Sequence, residues 1–172
     1  MKRQSVASVL AVSLIALVGL GGPLSANAKW ERTHAFDCKT LGGSPAIADF
    51  SLFNASTSAL FNASAGQDMV VLCAIPDDDR FPKEKIARVN VHGYDGHTSL
   101  RVGAMACRSL WSGTGGSCGP MAQSASSQEN YLLRPSLSQW TSSTRNDFGY
   151  LWVRIPRKGA AMSSVRGYFA TE

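Results

Sequence analysis

The sequence predicts an all-β domain, an antiparallel sandwich or small barrel of about eight strands. Three observations carry that expectation. Apolar residues beyond the N-terminal segment alternate with a period of two rather than 3.6. The runs are short and are punctuated by Gly, Pro, Ser, Asn and Asp. The chain also holds four cysteines behind what reads as an export leader, which implies two disulfides.

The leader comes first. Lys2 and Arg3 precede the apolar run "VLAVSLIALVGL", Val9 to Leu20. Gly21, Gly22 and Pro23 break the run, and Ala26-Asn27-Ala28 supplies small residues at cleavage spacing. Residues 1–28 therefore read as a signal peptide cut before Lys29, because the apolar run falls short of the roughly 20 residues that span a bilayer. Removing 28 of the 172 residues leaves 144, enough for one core in residues 29–172. Losing Lys2 and Arg3 lowers 17 basic residues to 15 against 12 acidic ones, a surplus of +3. The basic residues are scattered along the chain, so no nucleic-acid partner is expected. No later segment is apolar enough to span a membrane, so the mature chain is expected in the periplasm or the medium.

Strands are predicted near Ile47–Phe53, Ala59–Ala63, Met69–Ile75, Ile86–Gly93, Ser99–Arg108, Tyr131–Arg134, Phe148–Ile155 and Ser164–Phe169. "LFNAS" occurs at Leu52–Ser56 and again at Leu60–Ser64, which suggests two neighbouring strand ends with similar turn chemistry. Both copies also match the N-x-S glycosylation pattern, at Asn54 and Asn62. Trp111–Glu129 is rich in Gly and Ser and reads as a long surface loop. Among three possible pairings, Cys38–Cys73 and Cys107–Cys118 each close a loop between neighbouring segments. Chain entropy assigns these bridges roughly 4 and 3 kcal/mol. Zinc would need close C-x-x-C pairs, and the chain has none.

"NVHGYDGHTS", Asn90 to Ser99, holds two histidines around Asp95. Asp95-Gly96 is a favoured centre for a two-residue hairpin turn. Such a turn pairs Val91 with Leu100, Val89 with Val102 and Ala87 with Ala104, all apolar. It sets His92 opposite Ser99, Asn90 opposite Arg101 and Arg88 opposite Gly103. Gly96 is then expected at positive φ. His92 and His97 would share a face and offer two metal ligands, with His34 or one of Asp77–Asp79 as a third. A polar hairpin tip is the simpler expectation.

Two further motifs fail on context. "GGSCG" puts Ser117 in a G-x-S-x-G slot, but a nucleophile elbow needs a strand before it and a helix after it. Pro120 follows almost at once. "PDDDRF" clusters three carboxylates without the spacing of a calcium loop.

"FGYLWVRIP" alternates. Leu151, Val153 and Ile155 read as core, and Tyr150, Trp152 and Arg154 share the other face. In "SVRGYF", Arg166 and Tyr168 fall on one face, with Val165 and Phe169 on the other. If these two strands pair, Tyr150, Trp152, Arg154, Arg166 and Tyr168 form one aromatic and cationic patch suited to sugars or a protein partner.

"VVLCAIPDDD", "VNVHGYDGHTS", "FGYLWVRIP" and "SSVRGYF" together resemble a group of small exported bacterial proteins. The resemblance covers most of the chain beyond the leader. It implies a compact disulfide-bearing β domain and carries over no activity and no functional residue. The functional expectation is a non-catalytic binding or envelope-associated module whose partner is an extracellular glycan or a protein surface. No catalytic residue and no cofactor is expected. The rival expectations are a secreted enzyme, metal-dependent or hydrolytic, using His92 and His97, and a structural or inhibitor-like protein acting through Trp111–Glu129.

Overall fold

A computed structural model of the chain describes residues 29–41, 51–54, 56–78, 80–110, 115–141 and 147–172. The expected signal peptide, residues 1–28, lies outside them, as do Asp79 and the first part of the strand expected from Ile47. In chain order the strands are β1 (Trp30–His34), β2 (Cys38–Leu41), β3 (Ser51–Asn54), β4 (Ala59–Asn62), β5 (Met69–Ala74) and β6 (Arg88–Asp95). They continue with β7 (Gly103–Ser109), β8 (Gly116–Cys118), β9 (Ala122–Gln123), β10 (Glu129–Leu133), β11 (Phe148–Ile155) and β12 (Ser164–Thr171). A single helical turn, α1 (Ser138–Thr141), precedes β11.

The strands form two antiparallel six-stranded sheets. The first runs β10-β6-β12-β4-β3, with β1 paired to the far end of β12. The second runs β2-β5-β11-β7-β8, with β9 also paired to β7. Alternation supplies the inner faces. Val89, Val91, Leu133, Val165 and Ala170 from the first sheet join Met69, Val71, Ala104, Leu151, Val153 and Ile155 from the second in one buried cluster. Each fully buried Val or Leu side chain contributes about 1.5–3 kcal/mol of transfer free energy. The arrangement is a β-sandwich.

Both disulfides join directly opposed residues. Cys38 faces Cys73 across β2 and β5, and Cys107 faces Cys118 across β7 and β8. These are the expected pairings. Each staples a short edge strand to its longer neighbour, where few backbone hydrogen bonds hold it.

The expected β6–β7 hairpin does not form. β6 pairs with β10 and β12 in the first sheet, and β7 pairs with β11, β8 and β9 in the second. The chain between them crosses from one sheet to the other. Val89 and Val91 do face the core, and so does Ala104, but they meet it from opposite sides. The alternation is local and was legible; the partner is not local. None of the described glycines has positive φ, so Gly96 is a glycine for another reason. A Cβ there would lie 2.6 Å from the Ala161 carbonyl. Close backbone approach excludes any side chain.

A second correction concerns β12. Its register against β6 shifts between Val165 and Gly167, a β-bulge at Arg166. One extra residue reverses the alternation beyond it. Tyr168 therefore turns inward and Phe169 outward. The stretch expected as a surface loop, Trp111–Glu129, also carries β8 and β9, which pair along β7; residues 111–114 lie outside the description.

The repeated "LFNAS" does mark two similar strand ends. Asn54 closes β3 and its Oδ1 accepts the Ser56 N–H at 3.0 Å; Asn62 closes β4 and its Oδ1 accepts the Ser64 N–H at 2.9 Å. The copies differ in depth. Asn54 is exposed and Asn62 is buried.

Candidate functional site: the outer face of the second sheet

β11 lies in the middle of the second sheet. Leu151, Val153 and Ile155 fill the core, so Tyr150, Trp152 and Arg154 stand on the outer face, each half-buried. Register sets their neighbours. Trp152 lies between Leu72 on β5 and Met105 on β7. Arg154 lies between Val70 and Gly103, and Tyr150 between Ala74 and Cys107. The row extends to Leu41, opposite Val70 on β2, and to Phe148 at the start of β11, which are 50% and 63% exposed.

The face is therefore aromatic and aliphatic at its centre. Arg154 is held along it: its Nε lies 4.0 Å from the Asp68 carboxylate and a terminal nitrogen 3.5 Å from the Arg101 carbonyl. A guanidinium fixed beside exposed rings offers planar donors next to apolar area. Ring faces and aliphatic side chains suit dispersion contact with another apolar surface.

Val70, Leu72 and Met105 were not among the residues singled out from sequence. A signal for two of them exists. In "MVVLCA" the inward set Met69, Val71 and Cys73 alternates with Val70 and Leu72, so the strand is apolar on both sides. An antiparallel strand with one wet face does not need that.

The other residues expected on this patch lie elsewhere. β11 and β12 belong to different sheets and do not pair. Arg166 is exposed at the bulge on the first sheet. Tyr168 is buried in the core and donates its hydroxyl to the Ala74 carbonyl, bridging the two sheets. Burial pushes its phenol up to about 12.

His92 and His97 also do not share a hairpin face. His92 sits over Gly167 in the first sheet, where a Cβ on that glycine would lie 3.4 Å from its Nε2. His97 lies past the end of β6, with Nδ1 accepting the Ser99 and Leu100 N–H groups at 3.1 and 3.0 Å. That nitrogen is occupied by its own turn. Among the described residues no group of three or more His, Cys, Asp or Glu side chains converges as metal ligands do. Asp77 pairs with Lys83 at 3.5 Å, and Asp78 caps the Arg80 and Phe81 N–H groups.

Ser117 sits on β8, not on an elbow. Its hydroxyl donates to Gln139 Oε1 at 2.7 Å and accepts from Arg108 Nε at 3.1 Å. Neither neighbour is a general base.

Fold and face together define a disulfide-bonded, two-sheet β protein with an aromatic outer surface. Comparison with known protein families, curated proteins and solved structures finds no match.

Proposed function

We propose that this protein is an exported, non-catalytic binding module and that the outer face of the second sheet is where it holds a protein partner. One observation carries the reading. Trp152 is half-exposed at the centre of a six-stranded sheet, flanked across both neighbouring strands by Leu72 and Met105. A contiguous apolar surface of that kind is where protein interfaces place their anchors. An extracellular glycan would use the same rings with Arg154 and with Lys39, which lies opposite Leu72; Val70, Leu72, Ala74 and Met105 make the larger part of the face and favour a protein surface. Two disulfides favour an oxidising compartment. Among the described residues no helix is long and apolar enough to cross a membrane. The disulfides fit the leader read in residues 1–28, and the exported chain should begin at Lys29.

The test is a photo-crosslinking amino acid placed at position 152 in the native host. A discrete adduct to another protein, absent when the same group is placed at exposed position 158, supports the reading. Trp152→Ala should weaken that complex by about 2 kcal/mol or more, as for an interface anchor, and leave thermal stability within about 1 kcal/mol. A chain that yields no adduct at 152, or that melts far lower with Trp152→Ala, refutes it.

A further inference from the structure

The outer face of the first sheet has a different chemistry. Four strands build it side by side, in the order β1, β12, β6 and β10. Arg32 on β1 lies opposite Phe169, and Phe169 lies opposite Asn90. Arg134, one residue past β10, completes this row by donating from Nε to Asn90 Oδ1 at 3.1 Å. Arg88 lies one row away, opposite Thr171, and the bulge pushes Arg166 out beside His92. All four arginines are exposed, and none forms an ion pair among the described residues.

Among the described residues no carboxylate interrupts this face. Glu31 and Glu129 are on the same strands, but they pair with inward-facing Ala170 and Asp95 and alternate to the other side. Burial first, then Arg166, Arg32 and His34, hold the His92 imidazole below its ordinary value. Rings lie among the cations. The Arg32 guanidinium sits 4.7 Å from the centre of the Trp30 ring, and His34 stacks on Phe36 at 5.4 Å.

Taken together, these features lead us to infer that the outer face of the first sheet is a second binding surface, for an acidic polysaccharide whose carboxylate or sulfate groups are held by Arg32, Arg88, Arg134 and Arg166. Guanidinium forks match planar carboxylates and sulfates bidentately. Strand spacing sets the distances. Neighbouring strands are about 4.8 Å apart, so Arg32 and Arg134 lie on the order of 14 Å apart across three strand steps. A chain bearing one anion per sugar or per disaccharide, with apolar C–H faces between, suits cations so spaced with Phe169 between them. Duplex nucleic acid carries a charge about every 1.7 Å and calls for a denser array. Trp30, Phe36 and Leu132 are exposed on or beside this face, and such rings and side chains pack on the C–H faces of sugars. An anionic membrane would meet the same side chains, and the vesicle arm of the experiment separates the two.

The experiment measures binding of the purified chain to polygalacturonate and to heparin. Uncharged dextran, double-stranded DNA and phosphatidylglycerol vesicles serve as the other arms, all at low salt. The chain should bind one or both acidic polysaccharides, weaken as salt rises, and ignore dextran. Arg88→Ala with Arg166→Ala should lower affinity by about tenfold or more with an unchanged melting temperature. Arg157→Ala with Lys158→Ala removes the same charge from the exposed turn after β11 and should change affinity by less than about threefold. Absence of polysaccharide binding, equal losses in the two double variants, or tighter binding to DNA or to vesicles would each overturn the inference. The protein partner proposed for the second sheet is tested separately at position 152, so either idea can fail alone.

Discussion

The Asp95 carboxylate accepts a hydrogen bond from Ser124 Oγ at 2.5 Å, although 29 positions separate the two residues. Asp95 is fully buried where the chain leaves the first sheet. It also accepts from Ser163 Oγ at 3.1 Å, from the His97 N–H at 3.0 Å and from the Val102 N–H at 3.2 Å. One carboxylate thus ties together the end of β6, the approach to β7, the segment after β9 and the approach to β12. Asp95→Ala should destabilise the fold by about 3 kcal/mol or more, since several buried donors lose their acceptor. Urea unfolding gives the comparison with His97→Ala, which should cost clearly less. Equal midpoints for the two variants would contradict this role.

Gly96 offers a sharper test of why a glycine stands there. A left-handed backbone would make β-branched residues the worst substitutes. A close approach to the Ala161 carbonyl makes even one methyl group costly, with 2.6 Å between an added Cβ and that carbonyl. Gly96→Ala should therefore lower stability by about 1–3 kcal/mol, as overpacking does. A neutral alanine variant would show that the backbone can give way at this corner.

Asn54 and Asn62 occupy the same place in the repeated motif and should behave differently. Asn62 Nδ2 donates its two hydrogens among the carbonyls of Gln67, Ile155 and Pro156, at 2.9, 3.1 and 3.2 Å, with one hydrogen shared, joining β4 to the end of β11 in the other sheet. Asn62→Ala should cost about 2–4 kcal/mol, and Asn54→Ala, at an exposed turn, less than about 1 kcal/mol. Mass analysis of the folded chain should find no glycan on Asn62, whose amide is enclosed.

His92 sets a pH dependence whose sign follows from its surroundings. Burial comes first, then Arg166, Arg32 and His34, and all of them lower its pKa from 6.5. The unfolded chain therefore takes up a proton before the folded one does. Stability is full above the unfolded value and falls as pH drops through it, until the folded imidazole also protonates. Urea midpoints measured from pH 7.5 down to about pH 5 should decline, and His92→Gln should flatten part of that decline. An unchanged slope in the variant would place the acid sensitivity elsewhere.

Much of the fold was legible in the residues. β11 was read to its observed ends, Phe148–Ile155, because its alternation is uninterrupted. Cys107–Cys118 was legible because it joins consecutive strands, β7 and β8; Cys38–Cys73 joins β2 to β5 across two strands of the other sheet, and the expected pairing holds there because β2 is β5's edge partner. The edge strands β1, β2, β8 and β9 were not legible. They are short and exposed, carry little alternation, and exist because a longer strand offers them a free edge.

The candidate site was half legible. Tyr150, Trp152 and Arg154 share a face because the period of two is a property of the backbone. Arg166 and Tyr168 were assigned by the same rule, and the bulge broke it.

By itself, then, the sequence determined the alternation of the unbulged strands, which cysteines can meet, and that the result is an all-β domain, a sandwich or small barrel. These follow from local geometry and from the removal of apolar side chains from water. Only the tertiary structure decided that β6 and β7 part company into opposite sheets, that Tyr168 spans the core, and that arginines scattered over the chain gather on one surface. Strand partners are chosen by the burial of the whole inner face and by contacts such as those of Asp95. A contact of that kind costs chain entropy over many residues and has no counterpart in any short stretch of sequence.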